Sequence, residues 1–165
     1  MNGKKSIKIC GQDISVFQIV LPQNASAAEK TAAQELAAHI FEAAGVDLPI
    51  VASPAEHSIF IGQAADRSRS GIKYDGYVIA TDDKNLYLYG AIDRGTLYAG
   101  YRFLEKYIGF RKFAPGVNKL FGGNSSIPAG LNDASNPVFE LRNHDWLGHT
   151  SDVRFAAWEA MNRGL

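Results

Sequence analysis

The stretch from 86 to 113, LYLYGAIDRGTLYAGYRFLEKYIGFRKF, limits the folds open to this chain more than any other. Leu86 and Leu88 alternate with Tyr87 and Tyr89, the period of two that a pleated strand requires. Gly90 ends that run. Asp93, Arg94 and Gly95 then make a tight connection. Leu97, Tyr101, Leu104 and Ile108 recur at i, i+4, i+7 and i+11, one apolar stripe along a helix. Asp93 is placed to cap this helix by accepting a first-turn amide, and Gly109 to stop it. A strand, a short turn and a helix folding back on the sheet dictate a layered α/β arrangement.

A glycine-bearing turn between strand and helix also raises phosphate binding. Gly90 and Gly95 have the G-x-x-x-x-G spacing, but Thr96 and Leu97 stand where a P-loop needs Lys and then Ser or Thr. The dinucleotide pattern G-x-G-x-x-G is absent. The simpler reading is that Gly95 lets the start of the helix lie close to the sheet, and Gly100 the helix itself.

The segment RGTLYAGYRFLEKYIGFRKFAPG (94–116) resembles the signature of the small α/β domain that precedes the catalytic barrel in α-glucuronidases of glycoside hydrolase family 67. It also resembles the second domain of family 20 β-hexosaminidases and of related uncharacterised bacterial proteins. AAQELAAHIFEAAGVDLPIV (32–51), then IFIG (59–62) and DGYVIATDDKNLYLYG (75–90), fit the same pattern in the same order. The resemblance covers roughly residues 5 to 125.

Composition narrows the function classes. At 165 residues and 46% hydrophobic content, the chain is long enough for one domain with a sizeable core, or for one domain and a fragment. Lys plus Arg (17) balances Asp plus Glu (17), so no overall field attracts nucleic acid or an anionic membrane, and neither is expected as a partner. Lys4, Lys5 and Lys8 form the one local basic cluster, read as a solvated end. A single cysteine, Cys10, excludes an intramolecular disulfide and a cysteine-based zinc cluster, and its strand-like setting predicts an inert buried thiol. No apolar run approaches the ~20 residues that span a bilayer. The N-terminus has no apolar signal core, so a secreted or periplasmic parent is expected to have lost its signal peptide from this chain. The compartment itself stays open.

Taken in order, residues 6 to 10 and 14 to 21 predict a hairpin turning at Gly11, Gln12 and Asp13. Phe17, Ile19 and Leu21 share a face of its second strand. Ser26 and Glu29 form a capping box, and the helix they open runs from 27 to 44, with Gly45 as its stop. Ala33, Leu36, Ala37 and Ile40 line its buried side. His39 lies beside that stripe and is predicted to be a solvated or edge histidine. Short strands follow at 49 to 51 and 59 to 61. Residues 63 to 75, with Arg67 and Arg69, read as an exposed loop. Strands at 77 to 81 and 86 to 89 form a hairpin around Asp82, Asp83 and Lys84, a pair of acids without the full spacing of an EF-hand.

Residues 114 to 136 are rich in Gly, Pro, Asn and Ser and read as connecting chain. The predicted domains are an α/β domain over 1–127, a linker over 128–136, and the start of a truncated catalytic barrel over 137–165. In the families above, the barrel's first strand carries an arginine near its end. Phe139, Glu140, Leu141 and Arg142 resemble that strand, and 152 to 163 resemble part of the first barrel helix. A complete (β/α)8 barrel takes ~250 residues, against 29 from Pro137 to Leu165. The aromatic tail, with Phe155 and Trp158, is predicted to pack onto the α/β domain or onto a neighbouring copy, which allows self-association.

No catalytic residue is predicted. Glycoside hydrolysis needs two carboxyl groups ~5 to 10 Å apart. Asp82 with Asp83, Glu140 with Asp145, and Asp152 with Glu159 lack a context that supports the role. Ser151, His144 or His149, and Asp145 lack the nucleophile elbow of a serine hydrolase. His144, Asp145, His149 and Asp152 lack a supported ligand geometry, so neither metal nor cofactor is predicted. The resemblance implies substrate contacts at Arg142, His144, Asp145 and Trp146 only within a full-length parent, with Arg142 suited to hold sugar hydroxyls or a uronic carboxylate; a structural arginine is the competing reading. The expected fold class is an α+β two-layer sandwich, a mostly antiparallel sheet with both main helices on one face. The expected function is a non-catalytic accessory domain that packs against the catalytic barrel of its parent chain, a glycoside hydrolase, and meets carbohydrate only through that parent. The alternative is a carbohydrate-binding module stacking sugars on Tyr74, Tyr77, Tyr87 and Tyr89.

Overall fold

The computed structural model of the chain describes residues 4–114 and 116–138. In chain order these hold β1 (Ile7–Ile9), β2 (Gln12–Asp13), a 3-10 turn (Ile14–Val16), β3 (Gln18–Val20), α1 (Ala27–Ala44), β4 (Ile50–Val51), β5 (Ser58–Ile61) and a second 3-10 turn (Gly62–Ala65). Then come β6 (Tyr77–Thr81), β7 (Leu86–Gly90), α2 (Asp93–Phe103), a π turn (Leu104–Ile108), β8 (Phe110–Ala114), β9 (Val117–Leu120), β10 (Ser125–Ile127) and β11 (Asn132–Ser135).

Six strands make the main sheet, in the order β11-β6-β7-β5-β3-β4. Its β11–β6 and β6–β7 pairs are antiparallel; β7–β5, β5–β3 and β3–β4 are parallel. The expected mostly antiparallel sheet is therefore corrected to a mixed one. Alternation of apolar residues is the same in both kinds of ladder, and direction is set by the connections. The tight turn at 82–85 makes β6 and β7 antiparallel, whereas α1 is the crossover that lets β3 and β4 run parallel.

Alternation sorts the side chains into two layers. Ile19, Ile59, Ile61, Ile79, Leu86 and Leu88 face the helices and share one core with Ala33, Leu36 and Ile40 of α1 and Tyr101 and Phe103 of α2. Both helices thus cover the same sheet face. Val78, Ala80, Tyr87 and Tyr89 point the other way and form a second, smaller cluster with Ala65.

The helix ends follow local chemistry. Ser26 and Glu29 make the reciprocal capping box, and Gly45 closes α1 at φ 73°. Asp93 corrects its assignment: it lies in the first turn of α2, while Ile92 occupies the cap position with no side-chain bond. After Phe103 the helix widens into the π turn, which Gly109 ends at φ 81°.

Two further expectations change. The predicted hairpin of 6–10 with 14–21 is instead a short β1–β2 hairpin turning through Cys10 and Gly11, both at positive φ. The 3-10 turn then carries the chain away, so β3 joins the main sheet while β1 pairs with β10 in parallel. The linker expected over 128–136 is also corrected, because β11 is an edge of the main sheet, from Asn132 opposite Ala80 to Ser135 opposite Tyr77. The Thr81 hydroxyl pins this return by donating to the Pro128 carbonyl (2.7 Å) and accepting from the Leu131 amide (2.9 Å). Glycine and proline there mark turns between strands of three or four residues, too short to show a period. The expected barrel strand and helix fall on 139–165, outside the described residues.

Glycines set how closely α2 meets the sheet. A Cβ on Gly95 would overlap the Gly76 carbonyl oxygen, which is backbone and cannot swing away. At Gly100 its nearest neighbour would be the Ala32 Cβ at 3.4 Å, with the Ala32 backbone at ordinary contact distance, 3.8 Å. Gly95→Ala is therefore expected to destabilise the chain by about 1–3 kcal/mol or more. Gly100→Ala should stay within about 1 kcal/mol of the parent, since alanine's better helix propensity offsets a tight contact. Urea unfolding of both variants checks this; equal loss in the two would refute it.

Candidate functional site

The alternative reading needs the outer sheet face as a sugar platform, and the structure covers most of it. Tyr77 points to the helix side, where its hydroxyl accepts from Arg102 Nε at 3.2 Å. Tyr87 is buried with Phe60 stacked at 5.1 Å and the Arg67 guanidinium 3.8 Å above its ring. Arg69 lies 5.6 Å from the Tyr89 ring and donates to the carbonyls of Gly90 (3.0 Å), Gly62 (2.9 Å) and Arg67 (3.2 Å). Of the four tyrosines only Tyr74 is exposed. Guanidinium stacking on aromatic rings is what folds the polar 63–75 segment down, so Arg67 and Arg69 act as a cover.

The acidic turn is closed rather than open to an ion. Asp82 Oδ1 accepts the amides of Lys84 (2.8 Å) and Asn85 (2.7 Å); Oδ2 accepts the Tyr87 hydroxyl (2.5 Å) and lies 3.5 Å from Arg67. Partial burial pushes the Asp82 carboxyl up, but the Tyr87 hydroxyl and these amides outweigh it and hold the group down to about 2. The Cys10 thiol donates to the Asp82 carbonyl at 3.2 Å, and burial pushes it up, away from the thiolate form that reacts. Among the described residues no group of three or more His, Cys, Asp and Glu side chains is placed to hold a metal ion. At the glycine turn, the Gly90 amide donates to the buried Thr96 hydroxyl (3.1 Å), so that amide faces Thr96 and not an anion.

His39, expected as a solvated or edge histidine, is a half-buried edge residue between two acids of its own helix. Its side chain is 12% exposed and stacks on Phe110 with ring centres 3.6 Å apart. Nε2 lies 3.3 Å from Glu35 and Nδ1 3.2 Å from Glu42. Lys112, from β8, donates to Glu35 at 2.7 Å and sits 5.2 Å from the Tyr101 ring centre. The His39 bond first, and Lys112 after it, hold the Glu35 carboxyl down to about 2 against the opposing effect of burial. Burial and the Glu35 charge push the Tyr101 hydroxyl up. The signal for half of this cluster was present in the sequence, since Glu35 and Glu42 are four residues before and three after His39. Phe110 and Lys112 arrive only through the tertiary fold. Arg142, His144, Asp145 and Trp146 lie outside the described residues.

These side chains hold α1, the outer loop and β8 in place. They define a class, a two-layer α+β domain with its helices on one side of a mixed sheet. Residues 5–103 match the family model described as Glycosyl hydrolase family 67 N-terminus. The chain belongs to that family. Among solved structures, a family GH115 4-O-methyl-α-glucuronidase with specificity for decorated arabinogalactans aligns at 14% identity and a TM-score of 0.44. The alignment covers 62% of this chain and 13% of that protein, so this chain spans only a small part of its length. The curated proteins searched contain no match.

Glu35 yields a pH prediction with a definite sign. Its folded value, about 2, lies below the ordinary 4.5. The stabilisation is therefore present above pH 4.5 and is lost as pH falls from 4.5 toward 2. Glu35→Gln should lower the melting temperature at neutral pH and flatten its decline across that window. A variant with the parent's acid profile would show that Glu35 carries no such linkage.

Proposed function

We propose that this chain is a non-catalytic accessory domain of a carbohydrate-active enzyme, packing against and supporting a glycoside hydrolase barrel carried by the parent polypeptide. The observation that carries this reading is the match of residues 5–103 to an N-terminal glycoside hydrolase family. The geometry agrees with it. Asp82 closes a turn, Glu35 ties a helix to a hairpin, and Glu105 accepts from Arg102 and Arg111. Each carboxylate is spent on structure. In this reading carbohydrate is met through the parent, with Arg142, His144, Asp145 and Trp146 at the rim of its site.

The competing reading, a carbohydrate-binding module, needs an exposed aromatic platform. Tyr87 and Tyr89 are buried beneath the loop that carries Arg67 and Arg69, which argues against it. The purified chain is expected to leave aryl glycosides and glucuronoxylan fragments intact. It should release no binding heat with xylo-oligosaccharides, uronic acids or N-acetylglucosamine oligomers. Turnover that follows the chain through purification and vanishes in Glu140→Gln or Asp145→Asn would overturn the accessory reading; saturable sugar binding lost in Tyr74→Ala would favour the module.

A further inference from the structure

The β8–β9 hairpin forms a two-stranded sheet of its own, bonded to neither larger sheet. One face is anchored: Phe110 is buried, Leu120 packs on the core, and Lys112 reaches Glu35. The residues between these, Arg111, Phe113, Lys119 and Phe121, belong to the opposite face by alternation. Phe113 sits where the register shifts between Lys112 and Ala114, so it has no partner across the ladder. Such a bulge re-aims a side chain. Phe113 and Phe121 meet edge to face at 6.2 Å, yet remain 50% and 43% exposed, and Val117 is 55% exposed. Beside Phe121 runs a groove of about 290 Å³ lined by Lys4, Lys5, Leu120 and the 122–124 loop.

We propose that this face is the docking surface for the catalytic segment of the parent polypeptide, which meets it with an apolar patch bordered by carboxylates. The inference rests on the accessory-domain reading. An N-terminal family implies that further polypeptide follows the domain, and clustered exposed aromatics mark a surface that something covers. Charge selects the partner's chemistry. Arg111 is held by Glu105 at 2.8 Å, and the Lys5 ammonium is turned onto the carbonyls of Ile108 and Phe121. Among the described residues Lys4 and Lys119 have no carboxylate within ion-pair distance, leaving the rim basic. A second copy docked across a two-fold axis would set the same lysines against their own kind. An acidic rim on a different surface satisfies them.

Hydrogen–deuterium exchange on this chain alone and on the full-length glycoside hydrolase that carries it tests the proposal. Amides at 110–121 are expected to exchange about tenfold more slowly, or slower still, in the full-length protein. Phe113→Ser combined with Phe121→Ser should abolish that extra protection and lower the melting temperature of the full-length protein, while the chain alone melts as before. Lys119→Glu should reduce the protection; an unchanged profile would overturn the carboxylate rim. Protection confined to another surface, such as the 63–75 loop, would overturn the docking face and leave the accessory reading standing. No new protection anywhere would overturn both. Protection at 110–121 in the isolated chain that rises with its own concentration would identify a second copy as the occupant and overturn the proposal.

Discussion

The rest of the structure depends on one close backbone approach, where Gly76, Gly90 and Gly95 meet. A side chain on Gly90 would overlap the Gly95 backbone, and one on Gly95 would overlap the Gly76 carbonyl. With no Cβ in the way, the end of β7 and the start of α2 share one small space. The Ala91 amide donates to the Gly76 carbonyl at 3.1 Å, and Arg69 reaches the Gly90 carbonyl from the other side. This contact sets the distance between the helix layer and the sheet, and with it the depth of the core that Leu36, Ile40, Tyr101 and Phe103 fill.

Elsewhere, one buried and one half-buried carboxylate tie segments that are far apart in sequence. Glu29 is almost fully buried; one oxygen accepts the Ser26 amide (2.8 Å) and the other the Gln63 amide (2.6 Å), so a helix cap also holds the turn after β5. Asp133 accepts from Lys106 (2.8 Å) and the Tyr107 hydroxyl (2.7 Å), joining the edge strand to the π turn. Buried charge costs free energy unless its oxygens are satisfied, and here amides, hydroxyls and cations satisfy them. Charged groups here hold elements in register.

The two faces of the molecule then differ in kind. The outer sheet face is sealed by arginines lying on tyrosines, while the hairpin beyond α2 keeps phenylalanines in solvent. Sealing one aromatic surface and leaving another open is a difference that composition alone does not register, because both segments mix aromatic and basic residues.

The sequence by itself determined both main helices, the β6–β7 hairpin and the family. Ser26 with Glu29, Gly45 and Gly109 specify helix ends through capping chemistry that acts within a few residues. The Leu86 to Tyr89 alternation, the 82–85 turn and the apolar stripe of α2 are local in the same sense, and the motifs in 32–51, 75–90 and 94–116 carried the family resemblance. Only the tertiary structure decided strand direction, because the period of two is blind to it. It also placed β11 on the sheet edge, since four residues among glycines and prolines have no pattern to read. His39 shows the division within one cluster: its acids lie one turn away on the same helix, but Phe110 and Lys112 come from about seventy residues further on. Packing between such distant segments depends on how closely the layers approach, and no local period encodes that distance.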